Sequence, residues 1–568
     1  MQDQRLNSNN VGPPVAVAAA KAGEHPPDTP ASRPTGAHVA EETVPPLDAL
    51  VASSPTVGDG SSGSSDAESI PTPEVPEPAT AEKLPIRLAR KMNLFIGSNG
   101  QPFGITYSAN GHPRAVALHS RQIKRLIRKE AAKEGKVLRE RDVDDTIEHF
   151  AAHAELASEA RDVYYRVAPY AKNGMYGIEL DVGDEAGTRI RITSSKVEVL
   201  TLGSTTLFYL TPVSRPLVLP AEHGNYQLLK KYVSLDDIDF LLLVAWITYT
   251  LAHPKVATSK FVILVCKGDY GSGKSTVTRL ALMFTDPSVV GVQVFPGKVA
   301  DLSIMSQNAH VLAFDNTRSF SRLMADALCI ASTGGAVSAR QLYTDDGQFV
   351  TYLHVAMMLN GIHEVIREPD LAQRCLTIRT QPIQESERKS DAVMAAELAV
   401  DAPVIFRGLL DLIAQCFLHL PEVEITNPAR MIDFVRWLGA MERAHELPAG
   451  IYQSVYAESL REAQLASLQE NVLASAVMDF AKASACPTWT GTPQALFKAL
   501  YEAASMGTGY SDEWPRNPIA LSKRLNGLKA SLEGQGVKVQ FGRGKERTIT
   551  IINNEYTANA LENSDVSF

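Results

Sequence analysis

Cysteine is scarce in this 568-residue sequence, and none of the five cysteines stands in a Cys-x-x-Cys pair. Zinc-binding modules need such paired spacing, and disulfide-stabilised secreted domains need a much higher cysteine content. The sequence therefore offers neither framework. The scattered thiols, several of them inside apolar segments, are expected to be small core residues in a reducing cytoplasm.

A long hydrophobic segment and an excess of positive charge are also missing. The apolar run at residues 240–252 is shorter than the ~20 residues of a membrane-spanning helix, so it predicts a buried helix. No basic start followed by an apolar segment indicates a signal peptide, and we expect a cytoplasmic protein without a membrane partner. The formal net charge is −9, which alone argues against binding to nucleic acid.

The negative charge is concentrated in residues 1–85, which hold about twelve acids and about four bases. This segment is rich in Pro, Ala and Ser and poor in aromatic residues, so it cannot bury enough apolar surface to offset chain entropy. We predict a disordered acidic tail that either binds a partner or only increases solubility, and a second disordered tail at residues 556–568. The rest of the chain is close to neutral and can carry local basic faces.

Residues 86–232 are predicted to form an α+β domain. A helix at residues 120–133 either touches phosphates or presents an ordinary solvated face; its bases are Arg121, Lys124, Arg125, Arg128 and Lys129. Residues 161–212 alternate between apolar and polar side chains and predict a small antiparallel sheet. Within it, Glu179 and Asp181 share one face of a strand and either hold a metal or belong to an exposed surface.

The most informative segment is Gly268-Asp-Tyr-Gly-Ser-Gly-Lys-Ser275, which fits the phosphate-binding pattern G-x-x-x-x-G-K-[ST]. An apolar strand precedes it, and a helical pattern follows it. Glycines allow backbone N–H groups to point inward, and the helix start adds its positive dipole end. Lys274 is predicted to reach the β- and γ-phosphates of ATP, and Ser275 to hold Mg²⁺. The predicted nucleotide contacts are Gly268, Asp269, Tyr270, Gly271, Ser272, Gly273, Lys274, Ser275 and Thr276.

A second apolar strand, residues 310–315, ends in Asp315, which is expected to hold Mg²⁺ through water opposite Ser275. Asn316 follows at the position where many such ATPases carry a Glu that polarises the attacking water. Asn cannot accept a proton at neutral pH. Either another acid, such as Asp301 or Asp326, does this work, or hydrolysis is slow.

A third strand, residues 351–359, leads to Asn360, which is predicted to orient water beside the γ-phosphate. The alternative for this position is a plain Asn-Gly turn. Arg374 precedes a last strand and is the candidate for an arginine finger that reaches the γ-phosphate of a neighbouring subunit. Arg367 competes for that role, and a surface salt bridge is the alternative.

The order of these segments resembles that of superfamily 3 helicases of the phage and plasmid primase–helicase type. It is closest to a bacterial and phage branch described only as ATP-binding protein. The resemblance spans residues 235–415 and rests on Gly268–Ser275, Asp315-Asn316, Thr333-Gly334-Gly335, Ala339–Tyr343, Asn360-Gly361 and Asp370–Arg374. It implies an AAA+-like ring ATPase of mobile-element replication, with ATP bound between subunits.

The resemblance also implies a hairpin, here residues 337–352, that faces DNA in the ring channel with Arg340 and Tyr343 as candidate contacts. The β-rich module before residue 235 corresponds to an adaptor region. Two departures from the family pattern matter. Asn316 replaces an acid, which affects the expected rate of hydrolysis, and Asp345-Asp346 occupy the hairpin tip, where basic residues would hold DNA better.

The C-terminal part begins with helical patterns at residues 385–465, which predict a lid or spacer. Residues 466–555 then follow winged-helix order, ending in a basic helix and a β-hairpin. Thr492-Pro493 and Asn517-Pro518 supply N-caps with Pro at the first helical position. The domain is predicted to bind DNA, or else to dock a protein. Its candidate DNA contacts are Lys523, Arg524, Lys529, Arg543, Lys545 and Arg547.

The predicted fold class is therefore α/β, with an AAA+-like P-loop NTPase core at residues 233–384 between an α+β adaptor and a winged-helix domain. The predicted function is a Mg-ATP-dependent ring ATPase, a DNA helicase or translocase of a prophage, plasmid or integrative element. Its expected partners are single-stranded or forked DNA, further copies of the chain in a hexamer, and a primase or initiation protein. The alternatives are an ATP-dependent assembly switch on DNA that does not unwind it, and a non-catalytic replication or defence scaffold.

Overall fold

A computed structural model describes residues 84–553 except for 157–159, 173, 195, 318–319, 341–347, 362–365, 367, 385, 387, 484–487, 504–513 and 545. The two predicted tails lie outside these residues, except that Leu84 and Pro85 already belong to the first helix.

The helices of the described residues follow the chain in this order: α1 Leu84–Lys91, α2 Arg121–Lys133, α3 Glu140–Glu155, α4 Asp237–Ala252, α5 Lys274–Thr285, α6 Val299–Gln307, α7 Arg322–Thr333, α8 Pro369–Ala372, α9 Asp391–His419, α10 Ile432–Ala444, α11 Ile451–Glu470, α12 Val472–Ala483, α13 Pro493–Ala503 and α14 Pro518–Glu533.

The strands that the structure describes form five sheets. The first two are antiparallel, with the orders β1-β2-β3 and β4-β5-β6-β7: β1 Asn93–Ile96, β2 Pro102–Tyr107, β3 Pro113–Ala117, β4 Val167–Lys172, β5 Met175–Asp181, β6 Arg189–Thr193 and β7 Val197–Leu200. The remaining strands are β8 Ile263–Lys267, β9 Gln293–Val294, β10 Val311–Asp315, β11 Gly335–Arg340, β12 Gln348–Leu353, β13 Ala356–Asn360, β14 Cys375–Arg379, β15 Thr488–Gly491, β16 Val537–Arg543 and β17 Arg547–Asn553.

The central sheet is parallel, with the order β14-β8-β13-β10-β9. Its strands are apolar on both sides because successive residues face opposite layers of helices. In β8, Leu264 and Cys266 pack with residues of α4, α5, α9 and α10, whereas Ile263 and Val265 pack with residues of α6 and α7. The predicted mixed α/β fold with a parallel sheet is confirmed.

The apolar run at residues 240–252 is the buried helix α4, as predicted. None of the described helices combines the length and the hydropathy needed to cross a membrane. The cysteines that the structure describes are buried, which agrees with their expected role as core residues: Cys266, Cys329, Cys375 and Cys416. Cys486 lies outside the described residues.

The predicted strand at residues 351–359 is wrong, because the structure divides this run between two sheets. Residues up to Leu353 belong to β12, which pairs antiparallel with β11, and β13 begins at Ala356 in the central sheet. The intervening residues are anchored separately: His354 Nε2 lies 3.1 Å from the carbonyl oxygen of Ser259, and Val355 N–H donates to Ala331. The largely apolar run at residues 351–359 therefore contributes to two different sheets.

The predicted antiparallel module contains β4–β7, but neither interpretation of its two acids is correct. Glu179 and Asp181 are each about 1% exposed, so they are not on an open surface. Asp181 pairs with Arg189, and Glu179 accepts hydrogen bonds from Arg191 at 2.6 Å and from Ser204 at 2.8 Å. Arginine partners thus take the place of a metal, because buried carboxylates need compensating donors.

The C-terminal region folds around its own apolar core. The element order is α12, β15, α13, α14 and the hairpin β16–β17, with the sheet order β15-β17-β16. Three helices and a C-terminal hairpin follow one another as expected, β15 was not expected, and the winged-helix assignment stays a prediction. The predicted helix caps are confirmed: Thr492 Oγ1 accepts from Ala495 N–H at 3.2 Å, and Asn517 Oδ1 accepts from Ala520 N–H at 2.8 Å.

Asp286, directly after α5, joins three parts of the chain. Its carboxylate accepts the backbone N–H groups of His310 at 2.6 Å and of Val311 at 3.2 Å, where β10 begins. Arg166, just before β4, donates its Nε to the same carboxylate at 3.0 Å, and both side chains are about 1% exposed. The remaining guanidinium N–H groups donate to backbone carbonyls of Asp181, Val182 and Arg215. The pair is therefore fully hydrogen-bonded as well as buried.

We predict that Asp286→Ala lowers the free energy of unfolding by about 3–5 kcal/mol, because it leaves the buried Arg166 cation without its counter-charge. Urea denaturation at neutral pH measures the change. The control is Asp145→Ala, which removes the carboxylate of the exposed Arg141–Asp145 pair. That variant should stay within about 0.5 kcal/mol of the wild type, and equal effects of the two substitutions would contradict the assignment.

We also predict that the fold loses stability as pH falls from 6.5 towards 4. Burial lowers the pKa of His253, His310 and His354 to about 4. The unfolded chain therefore binds more protons than the native state in this range, and acid favours unfolding. Asp239 has the opposite effect on stability: burial raises its pKa to about 6, so the native state binds this proton more readily than the unfolded chain. One carboxyl group is outweighed by the three histidines.

Urea denaturation at pH 7 and pH 5 tests this pH dependence. His310→Gln, which removes one of the three imidazoles, should show a smaller loss between the two pH values than the wild type. A wild-type protein with the same stability at both values would contradict the prediction.

Candidate active site

The loop between β8 and α5 depends on the backbone freedom of three glycines. Gly268, Gly271 and Gly273 have φ values of +153°, +72° and +85°, a region in which other residues are strained. A Cβ atom on Gly268 would also lie 2.8 Å from Ser272 Oγ and 2.9 Å from the carbonyl oxygen of Thr380. Glycine is therefore needed at this position for both conformation and space.

Hydrogen bonds from a neighbouring strand hold the base of the loop. The buried Ser272 Oγ lies 2.6 Å from Thr380 Oγ1 and 2.7 Å from the carbonyl oxygen of Asp269. Thr380 follows β14, which pairs with β8, and its hydroxyl also donates to the Lys267 carbonyl at 3.2 Å. The adjacent strand thus fixes the shape of the loop.

The ammonium group of Lys274 lies over this loop. Its Nζ donates to the carbonyl oxygens of Gly268 at 2.8 Å and Asp269 at 2.6 Å. Lys274 is also the first residue of α5, whose N-cap is Gly273 and has no side-chain cap. The Lys274 ammonium therefore lies close to the first backbone N–H groups of α5, which no side chain caps.

Ser275, Asp315 and Asn360 meet at one edge of the sheet. Parallel strands bring their carboxyl ends to the same edge, and Asp315 and Asn360 are the last residues of β10 and β13. Ser275 Oγ donates to Asp315 Oδ2 at 2.8 Å, and Asn360 Nδ2 lies 3.5 Å from the same hydroxyl. Asn360 is only 1% exposed and pairs with Cys266 in the sheet, so it is not a residue of an exposed turn.

Asn316 adopts a left-handed backbone conformation, with φ of +51°. Its N–H donates to Asp315 Oδ1 at 2.7 Å and lies 3.4 Å from Asn360 Oδ1. Asn tolerates this conformation better than most residues with a side chain. Asp301 and Asp326 are exposed on α6 and α7, and no described contact brings either carboxylate to Asn316.

The residues at this edge fit a magnesium–nucleotide complex. Ser275 Oγ and Asp315 Oδ2 are 2.8 Å apart, so a hydroxyl that can bind Mg²⁺ directly lies beside a carboxylate that can hold one of its waters. Mg²⁺ usually keeps several waters and substrate phosphates, so one hydroxyl and one carboxylate are a sufficient protein contribution. Among the described residues there is no group of three or more His, Cys, Asp or Glu that would form a metal cage.

Arg374 lies at the opposite edge of the sheet from the loop. Its carbonyl accepts the N–H of Ile263, at the start of β8, so about five strand residues, or ~16 Å, separate it from the loop of its own chain. The side chain is 8% exposed and donates to Asp370 Oδ2 at 2.7 Å, and Asp370 also pairs with Arg430. The ion-pair alternative is thus present, with the Arg374 side chain largely buried and the Asp370 carboxylate 59% exposed. Arg367 lies outside the described residues.

The hairpin implied by the resemblance consists of β11 and β12, and Arg340 pairs with Gln348 next to its tip. The tip residues 341–347, which include Tyr343 and both acids, lie outside the described residues, as does the side chain of Arg340.

The candidate DNA contacts of the C-terminal region lie on two of its elements. Lys523 and Arg524 are exposed on α14, away from its buried leucines, and Lys529 is half-buried. Arg547 is exposed at the start of β17. Lys545 and the side chain of Arg543 lie outside the described residues.

Two residues of the site were not predicted from the sequence. Thr380 holds the loop, and Arg388 Nη2 lies 3.2 Å from the position that a Cβ atom on Gly271 would occupy. A second cation therefore lies beside the loop, on the segment between β14 and α9. Neither residue belongs to a motif, and only the position of β14 beside β8 indicates them.

Two family models match the chain. Residues 229–462 match the actinomycete integrative conjugative element replication protein, and residues 473–562 match the C-terminal domain of the same RepA family. A search of curated proteins finds no match.

The solved structures that match this chain include two apo forms of the NrS-1 C-terminal region. One is 10% identical, with 82% of this chain and 97% of that chain covered and a TM-score of 0.35. The other is 11% identical, with 84% and 100% covered and a TM-score of 0.35. JCV helicase is 15% identical, with 41% and 64% covered and a TM-score of 0.22. At these values the likeness carries no conclusion about residues or activity. The family models are the informative match, and over both matched regions this chain is similar to the replication proteins of actinomycete integrative conjugative elements.

Proposed function

We propose that the chain is a Mg-ATP-dependent ATPase that moves along or unwinds DNA during replication of an integrative element. The observation that carries the proposal is the convergence of Lys274, Ser275, Asp315 and Asn360 at one edge of the parallel sheet. The match to replication-protein models over residues 229–462 and 473–562 supports the DNA substrate.

In this proposal the loop binds the phosphates of ATP. Lys274 exchanges its two backbone carbonyl partners for phosphate oxygens, which carry full charge and form stronger hydrogen bonds with an ammonium. The first-turn amides of α5 and the Arg388 guanidinium add further positive potential. Ser275 and Asp315 hold Mg²⁺, which when bound neutralises the charge that develops on the transferred phosphoryl group.

Asn360 and Asn316 are assigned to the attacking water. Asn360 is buried and hydrogen-bonded from two sides, so its amide is held in a fixed orientation beside Ser275. An amide can orient a water molecule but cannot accept its proton at neutral pH. The site therefore favours positioning and electrostatic stabilisation over general-base catalysis, which is compatible with the small demand for covalent chemistry in phosphoryl transfer.

DNA contacts are assigned to two regions. The β11–β12 hairpin, with Arg340, would face the strand in the channel of a ring, which we propose to be a hexamer. The C-terminal region would act as a winged helix that binds phosphates through Lys523, Arg524, Lys529, Arg543, Lys545 and Arg547. Arg374 would act in trans at the nucleotide of the neighbouring subunit, which requires release of Asp370.

A second candidate function is an assembly switch that binds ATP and DNA without unwinding. Asn316 favours it, because no described carboxylate replaces the missing acid beside Asp315. In that case ATP would bind and stabilise the assembly, and turnover would be negligible.

We predict that Lys274→Ala lowers ATP turnover by about 10²–10³-fold, as expected when one charged donor to the transition state is removed. Phosphate release is measured with and without single-stranded DNA. Lys172→Ala, which removes an exposed ammonium from β4, is the control and should retain full turnover. DNA-stimulated turnover supports the motor, and ATP binding without turnover supports the switch. Unchanged nucleotide binding and turnover in Lys274→Ala would refute both.

We further predict that Arg374→Ala subunits inhibit mixed assemblies more than in proportion to their fraction, because each one disables a neighbour's site. Turnover is measured across a series of mixing ratios with the wild type. Arg430→Ala is the matched control, since Arg430 contacts the same Asp370 carboxylate. A linear loss with Arg374→Ala, or the same curve with both variants, would rule out the trans role.

A further inference from the structure

A basic groove lies in the N-terminal α+β module, away from the residues assigned above. It has a volume of about 360 Å³ and is lined by His119, Arg121, Lys124, Arg125, Arg128 and Glu140. Five of these six residues are basic or can become so, and one is acidic. The chain as a whole has a net charge of −9, so this concentration of positive charge is a local feature.

The groove follows from the way that α2 packs. Ile123, Ile127 and Ala131 recur at helical spacing and are fully buried, so the basic residues of α2 project from its other sides. Ser120 caps the helix by accepting the N–H of Ile123 at 3.3 Å. The orientation of the basic residues is therefore fixed by the core of the module.

These basic residues fall into two rows with different partners. Lys124 donates to Glu140 at 2.9 Å and to Asp144 at 2.7 Å, and Arg128 also pairs with Glu140. This first row is neutralised by α3. The second row is Arg121, Arg125 and Lys129, all exposed, and none of them forms an ion pair or a side-chain hydrogen bond with any described residue.

The second row has the spacing of a polyanion-binding surface. Its members are four residues apart, which places successive charges ~6 Å apart along the helix axis. That separation is comparable to the distance between consecutive phosphates of an extended nucleic-acid strand. Like charges at this spacing repel one another on a helix, and a bound polyanion relieves the repulsion. Among the described residues no Phe, Tyr or Trp lines the groove, so its predominantly cationic surface suits the phosphate backbone better than the bases.

We propose that Arg121, Arg125 and Lys129 bind the phosphate backbone of single-stranded DNA, as a second contact that guides the strand on which the ATPase acts. This inference rests on the proposed function for its partner, but it assigns the contact to a different domain. Lys124 and Arg128 keep their carboxylate partners and hold the row in place. The salt dependence of binding is then divided between this module and the C-terminal region.

The test uses the full chain and a labelled single-stranded oligonucleotide, with binding followed by fluorescence anisotropy over a series of salt concentrations. Arg121→Gln with Arg125→Gln should weaken binding at low salt. It should also reduce the slope of log K against log salt by about 1.4, since each phosphate contact on a single strand contributes about 0.7. Arg121→Lys with Arg125→Lys keeps both charges and should retain the wild-type slope, which separates a charge effect from misfolding.

The matched control is Lys172→Gln with Lys196→Gln, which removes two exposed charges from the same module away from α2. This variant should retain the wild-type slope, and a loss equal to that of the Arg121 and Arg125 variant would overturn the proposal. A wild-type slope in the Arg121 and Arg125 variant would overturn it while leaving the proposed function intact. A wild-type chain that binds no DNA would overturn both.

Discussion

Asp286, buried against Arg166, connects the two elements that carry the candidate active site. Helix α5 is ~18 Å long and strand β10 ~16 Å, from their residue counts. Asp286 ties the end of α5 to the start of β10. The two elements extend over similar lengths from this contact to the opposite edge of the sheet. There the start of α5 and the end of β10 bring Ser275 Oγ within 2.8 Å of Asp315 Oδ2. A contact at one edge of the sheet thereby determines the geometry at the opposite edge, and Arg166 connects that contact to the N-terminal module.

The strand order of the sheet completes the site. β13 lies between β8 and β10, which brings Asn360 to Ser275 and to the backbone of Asn316. β14 lies on the other side of β8 and supplies Thr380 to the base of the loop. Residues more than a hundred positions apart thus form one site because parallel strands bring their carboxyl ends together. The same topology places Arg374 at the far edge, so an action on nucleotide requires a second subunit.

Local patterns in the sequence were sufficient for the parts of the site that depend on short segments. A strand, a glycine loop and a helix are consecutive in the chain, and so are an apolar strand and its terminal Asp315. The roles of Thr380 and Arg388 could not be predicted, since they depend on which strands are neighbours. The partners of Glu179 and Asp181 were missed for the same reason: Arg191 and Arg189 lie on the adjacent strand β6, at positions set by sheet register. The boundary between β12 and β13 was missed because both segments are rich in apolar residues. The periodicity of apolar residues does not show where one strand ends and the next begins.

The conformation of Asn316 changes the meaning of the missing acid. With φ of +51°, this residue lies in the left-handed region, where Asn is favoured because its short amide tolerates the backbone. A Glu whose main-chain N–H is held in this conformation would be more strained than an Asn. The Asn316 N–H holds Asp315 Oδ1 at 2.7 Å, while Oδ2 of the same carboxylate accepts Ser275. Asn316 therefore orients the carboxylate assigned to Mg²⁺ through its backbone. This positioning role does not depend on whether the Asn316 side chain touches water.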